Sequence, residues 1–184
     1  MPSGRDPVDY DRTRRRVLWS LPTGLYLVGS HAVLESGEQW NLMTANLVVQ
    51  VAVEPKLLAV AVDRTARTRA LVAASGSFSL SLLDRAARAV VRRFVKPVDD
   101  VTLGEDGRPV ALNGEPIALA TTGSPVLSAA PAWLDCEVRH QVDLGSHLLF
   151  IGEVVDVGGK GTGGEGRTVG EVLRMEDTRM SYGG

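Results

Sequence analysis

The stretch that decides the fold is 41–68. It reads Asn41-Leu42-Met43-Thr44-Ala45-Asn46, then an apolar run over 47–53, then Glu54-Pro55-Lys56. A second apolar run over 57–62 follows and leads into Asp63-Arg64-Thr65-Ala66-Arg67-Thr68. Two apolar runs split by a proline-containing turn read as a pair of β-strands, and the first strand is predicted over 40–53. Their Val, Ala and Leu content, with little alternation, suits strands covered on both faces. Polar groups cluster at the two ends of this pair. Thr44, Ala45 and Asn46 are small residues that let a flat ring approach and hydrogen-bond its polar edge. Arg64, Thr65, Arg67 and Thr68 stand at the start of a helix, where free backbone N–H groups, hydroxyls and guanidinium groups suit one phosphate. Read separately, the first group also describes an ordinary strand start, and the second a capped surface turn with solvated arginines.

Outward from this stretch the pattern remains β-rich. Residues 25–28 form a strand after the turn signal Leu21-Pro22-Thr23-Gly24, and Glu35-Ser36-Gly37-Glu38 reads as a hairpin loop. Residues 67–74 have helical spacing and stop at Ser75-Gly76. Residues 77–83 alternate Ser with Phe or Leu, the pattern of a half-buried strand. Asp84 suits the N-cap of a helix reaching about Phe94. Residues 97–107 read as loop, while 133–138 and 146–157 read as strands. The glycine-rich run 158–166 is a hairpin connection, since Gly159-Lys160 precedes Gly161 rather than Ser or Thr. Residues 1–15 are expected to be a flexible, polar arm and 16–184 a single domain.

The chain has 184 residues and a net charge of −2. That length allows one ample core, and the charge gives no reason to expect a nucleic-acid or membrane partner. The first residues do not resemble a secretory signal, and the single cysteine, Cys136, suits a reducing compartment; a cytoplasmic location is expected. His31, His140, His147 and Cys136 lack zinc-type spacing, so no metal site is expected. Cys136, between Leu134 and Val138, reads as an inert buried thiol. No Gly-x-Gly-x-x-Gly opens a helix and no nucleophile elbow appears. Gly145-Ser146-His147 stands at a strand mouth, where an imidazole can face a ligand or sit half-exposed without one.

In this order, the segments 25–29, 42–50, Glu54-Pro55, 64–69, 76–82, 133–138 and 145–155 resemble the flavin reductase-like domain family, whose fold is the FMN-binding split β-barrel. The Thr44-Ala45-Asn46 strand, the Pro55 hinge, the Thr65-x-x-Thr68 turn and the 77–83 strand carry the likeness, with Ser81 where that family usually has Asn. Tyr182-Gly183-Gly184 is similar to the C-terminus of its flavoredoxin-like members. The resemblance implies a mainly β split barrel with a few peripheral helices, assembled as a homodimer. It implies an NAD(P)H-dependent flavin reductase, an oxidoreductase passing hydride from NADH or NADPH to FMN or FAD and able to supply a flavin-dependent monooxygenase. A flavin-binding electron carrier or non-catalytic barrel without NAD(P)H turnover is the alternative. Mapped by position, Asn41, Met43, Thr44, Ala45 and Asn46 hold the ring and ribityl portions. Arg64, Thr65 and Thr68 hold the phosphate, with Lys96 adding charge, and Asp63 is counted among the cofactor-binding residues. His147 matches a Gly-Asp-His motif thought to lie near the nicotinamide, with Ser146 in place of Asp.

Overall fold

A computed structural model describes residues 6–160 and 171–178. Helix α1 (Pro7–Trp19) starts where Asp6 accepts a hydrogen bond from the Val8 N–H at 2.8 Å, with Pro7 in the first turn. It therefore occupies most of the described part of the expected arm, and none of its residues is buried.

The body is built from strands. β1 (Tyr26–Leu34) and β2 (Gly37–Ala45) form a hairpin, and β3 (Val48–Ala52) and β4 (Leu57–Asp63) form another. Helix α2 (Arg67–Ser75) follows, ending at Gly76 in the left-handed conformation with φ 71° that glycine adopts without strain. β5 (Ser77–Leu82) leads to a helical run in which Asp84 accepts from the Ala86 and Ala87 N–H groups. Then come β6 (Val101–Leu103), β7 (Pro109–Leu112), β8 (Glu115–Leu119) and β9 (Pro125–Leu127), and finally β10 (Trp133–Asp143) and β11 (His147–Gly158).

Seven strands make one antiparallel sheet in the order β2-β1-β5-β10-β11-β4-β3, and β6 to β9 make a second. β2 and β3 lie at opposite edges of the large sheet, yet only Asn46 and Leu47 separate them. A sheet whose two edges are joined by two residues must curl on itself. The result is a split β-barrel, mainly β with a few peripheral helices, open along the seam where β2 and β3 do not pair.

Three expectations change. The single strand predicted over 40–53 is two strands, because the chain leaves one sheet edge at Asn46 and joins the other, where the Leu47 carbonyl accepts from the Ala61 N–H. The half-buried strand over 77–83 is buried on both faces through Ser81. Its serines face the small sheet, with Ser79 Oγ donating to the Pro125 carbonyl at 2.6 Å and Ser81 Oγ accepting from the Leu127 N–H at 3.0 Å. Gly29 belongs to the same close approach, since a Cβ there would stand 1.9 Å from the Pro125 oxygen. The loop predicted over 97–107 contains β6, whose three residues are exposed and carry no readable pattern. Residues 161–166 of the glycine-rich run and Tyr182-Gly183-Gly184 lie outside the described residues.

Two apolar cores result. One gathers Leu25, Leu27, Leu42, Phe94 and Leu173 toward the small sheet; the other gathers Val28, Val60, Phe78, Cys136 and Phe150 inside the barrel. Of the strand pair expected to be covered on both faces at 47–62, only β4 is so covered, while Leu47 before β3 and Val49, Gln50 and Val51 within it are exposed. Burial pushes the Cys136 thiol up to about 12, with the Asp135 carboxylate adding to the shift. At pH 8 only about one thiol in ten thousand is then thiolate. Iodoacetamide followed by mass spectrometry should leave Cys136 unmodified in the folded protein at pH 8 and alkylate it promptly in denaturing guanidinium. Rapid alkylation of folded protein would refute this.

Candidate functional site

A cavity of about 350 Å³ opens at the barrel seam, within the range of roughly 300–1,000 Å³ typical of small-molecule sites. The end of β2 supplies Asn41, Met43, Thr44 and Ala45, with Asn46 just beyond it; the end of β4 supplies Asp63. Thr65, Ala66, Arg67 and Thr68 line it from the start of α2, and Val95, Lys96 and Pro97 from the loop after the helical run. Leu25 and Met175 complete an apolar side.

Several of these side chains are already committed. Asn41 is 2% exposed and bridges two elements: its Nδ2 donates to Thr68 Oγ1 at 2.9 Å, and its Oδ1 accepts from the Val98 N–H at 2.9 Å. Thr44 donates to the Val91 carbonyl at 2.7 Å. These three residues fix the walls, tying β2 to α2, to the helical run at Val91 and to the loop at Val98. Arg67 adds a second tie to the same loop, donating to the Val98 carbonyl at 2.6 Å.

Other groups are available. Asn46 is 6% exposed, and its Oδ1 has no hydrogen-bond partner. A buried carbonyl oxygen without a donor is costly, and the same residue lines the cavity. Helix α2 has no side-chain cap at its N-terminus. The nearest candidate, Asp63, instead folds over Thr65, accepting from its N–H at 2.7 Å and its hydroxyl at 2.6 Å. Those bonds hold the Asp63 carboxyl below the usual carboxylate range, with the His147 charge helping. The uncapped start of α2 thus lines the cavity together with Arg67 and Lys96, an arrangement suited to an anion.

Two expected residues lie elsewhere. Arg64 does not line the cavity. Its guanidinium pairs with Asp143 and donates to the Gly145 carbonyl, while its backbone N–H donates to the Ser146 carbonyl at 3.0 Å. It fastens the β10–β11 hairpin to the end of β4. His147 opens β11 directly across from Asp63, at the rim, with Nδ1 2.9 Å from Ser146 Oγ. Of the remaining histidines, His31 stacks on Trp40 at 5.2 Å and bonds Glu38. Among the described residues no cluster of His, Cys, Asp and Glu could hold a metal ion, and no helix is long and apolar enough to cross a membrane.

Residues 18–172 match the flavin reductase like domain. The chain belongs to that family. It is 28% identical over 123 residues to the reductase subunit of stachydrine N-demethylase from Rhizobium meliloti, a match spanning 67% of this chain and 49% of that one. The chain thus covers about half the length of that curated relative. Among solved structures it is similar to the NADH:FAD oxidoreductase of Streptomyces globisporus C-1027 in complex with NAD and FAD fragments. That likeness has 25% identity and a TM-score of 0.65 and covers 85% of this chain and 86% of the other. It is also similar to the styrene monooxygenase flavin reductase of Pseudomonas putida S12, at 26% identity and a TM-score of 0.62, over 80% and 87% of the two chains.

Leu25, Ala66, Arg67, Val95, Pro97 and Met175 are the cavity residues that the mapped set lacks. Arg67 differs from Arg64 by standing inside the first turn of α2 rather than before it, a distinction that hangs on where the helix begins. Val95, Pro97 and Met175 carry no local signal, because only tertiary folding brings them to the seam. The Asn41 bridge yields a test. Asn41→Ala leaves the buried Val98 N–H without an acceptor and should cost about 1–3 kcal/mol. Arg64→Ala removes only exposed pairing and should cost about 0–1 kcal/mol. Urea denaturation of the two variants measures the difference, and equal costs would argue against the bridge.

Proposed function

We propose that this chain is an NAD(P)H:flavin oxidoreductase that binds FMN at the barrel seam. The observation that carries the reading is the gathering, in one cavity of a flavin reductase like domain, of Asn46 and the uncapped start of helix α2 beside Arg67 and Lys96. A flavin needs both: an acceptor for a ring N–H, and a cationic, N–H-rich place for its phosphate. Leu25, Met43 and Met175 offer the apolar surface that a planar ring buries.

The bound flavin supplies the hydride-accepting centre, and the chain's residues bind, orient and keep out water. Asn46 fixes the ring edge. Thr65, Arg67, Lys96 and the α2 N–H groups hold the phosphate, with Asn41 and Thr68 keeping α2 in place against β2. Arg64 acts at one remove, holding the hairpin that carries His147 at the rim. His147 seats the nicotinamide there, and no side chain need give or take a proton. The name of the relative from Pseudomonas putida S12 supports delivery of reduced flavin to a separate flavin-dependent monooxygenase. Ser146, bonded to His147 in place of the family's Asp, favours a second reading: a flavin-binding electron carrier without nicotinamide turnover.

Purified protein should show a flavin absorption spectrum with added FMN that bleaches anaerobically on addition of NADH or NADPH. Binding without bleaching selects the carrier, and no binding of FMN or FAD ends both readings. Arg67→Ala and Lys96→Ala should each weaken FMN about tenfold or more while sparing riboflavin, which lacks the phosphate. His147→Ala should raise the nicotinamide KM and leave flavin affinity unchanged.

In and beside β3, Leu47, Val49, Val51 and Val53 are exposed at the edge of the large sheet. A second copy of the chain covers these residues in a homodimer. Sedimentation at micromolar concentration should find a dimer; a monomer that still binds FMN would sink the assignment.

A further inference from the structure

We propose that the C-terminal strap, residues 171–177, is a wall of the flavin cleft, with Met175 touching the bound ring, so that strap docking and flavin binding favour each other. This rests on the flavin reading above. Met175 lies beyond residue 172, where the match to the family ends.

Residues 171–174 of the strap run as an extended piece between two segments of the barrel, Met175–Asp177 close in a 3-10 turn, and the strap bonds to both segments. On one side the Arg85 N–H donates to the Glu171 carbonyl at 3.0 Å, and the Leu173 N–H donates to the Leu83 carbonyl at 2.8 Å. On the other side the Leu25 N–H donates to the Leu173 carbonyl at 2.9 Å, and the Met175 N–H to the Thr23 carbonyl at 2.9 Å. Leu173 is fully buried between them in the same core as Leu25 and Phe94. Arg85 clamps the ends of the strap, bonding Glu171 at 2.9 Å and Asp177 at 2.6–2.7 Å, and Asp177 also accepts from the Arg174 N–H at 3.0 Å.

This docking puts the Met175 side chain, half-buried, against the core on one side and into the cavity beside Leu25 on the other. A thioether packs favourably against an aromatic ring, so the chemistry suits a flat heterocycle. The contact exists only while the strap is docked. A ligand that gains it must stabilise docking to the same degree, because coupling between two equilibria is reciprocal.

Trypsin reads the coupling directly. Arg174 is exposed but sits in the strap, so cleavage after it reports strap opening; Lys56, exposed in the turn before β4, is a control far along the chain. Saturating FMN should slow cleavage after Arg174 about tenfold and leave cleavage after Lys56 unchanged, followed by mass spectrometry. Met175→Ala should weaken FMN about tenfold in a fluorescence titration and abolish the protection. Arg85→Gln, a surface change that spares the core, should speed cleavage after Arg174 without ligand and weaken FMN; it keeps the test open if Met175→Ala fails to fold. Protection equal at both sites, or FMN affinity unchanged in Met175→Ala and Arg85→Gln, overturns the coupling while leaving the flavin reading intact. Wild-type protein that binds no flavin overturns the flavin reading, and this inference with it.

Discussion

The cleft depends on one buried amide. Asn41 satisfies both ends of its side chain internally, donating to Thr68 on α2 and accepting from the Val98 N–H. Three pieces far apart in sequence meet there: a strand, a helix start and a loop. A buried amide with both ends paired is rigid, because any displacement exposes an unsatisfied polar group in a dry place. The mouth of the cavity is therefore held by a bond that no ligand needs to form. Asn46 and the uncapped start of α2 line the cavity and are not tied up in this way.

The division between framework and binding groups recurs around the site. Arg64 and Arg67 are three residues apart and of the same type. One is spent on Asp143 and the Gly145 carbonyl, and the other faces the cavity while bonding the Val98 carbonyl. The serines of β5 likewise serve the framework, satisfying the backbone of β9 at a dry interface. Hydroxyls there let two sheets approach closely, as Gly29 does on the neighbouring strand.

Much of this was legible in the chain because the cleft is built largely from one contiguous stretch. β2, β3, β4 and the first turn of α2 run through 41–68, so a strand pair with polar ends already carried Asn41 to Asn46 and Asp63 to Thr68 to one place. Other features were not legible, each for a physical reason. The break at Asn46 was hidden because residues on both sides of it favour strand; only the pairing partners differ. The small sheet was hidden because its strands are short and β6 is wholly exposed, leaving no alternation to read. The serine alternation in β5 promised a solvated face because nothing local announces that a second sheet covers it. Met175 stands far along the chain from Pro97, the cavity residue before it, and no pattern around it points to a cavity.

The passage from β2 to β3 sets a dimension as well as a topology. Two residues, Asn46 and Leu47, span the seam, and a chain extends at most about 3.3–3.6 Å per residue. The gap between the two sheet edges at that point has a backbone-imposed ceiling that side-chain changes do not lift. Room for a larger ligand can therefore come only from the pieces that close the other sides: residues 95–98 and the C-terminal strap. Drift in ligand size over evolution, or redesign of this barrel toward a bulkier guest, should work through those two pieces while the Asn46–Leu47 passage keeps its length.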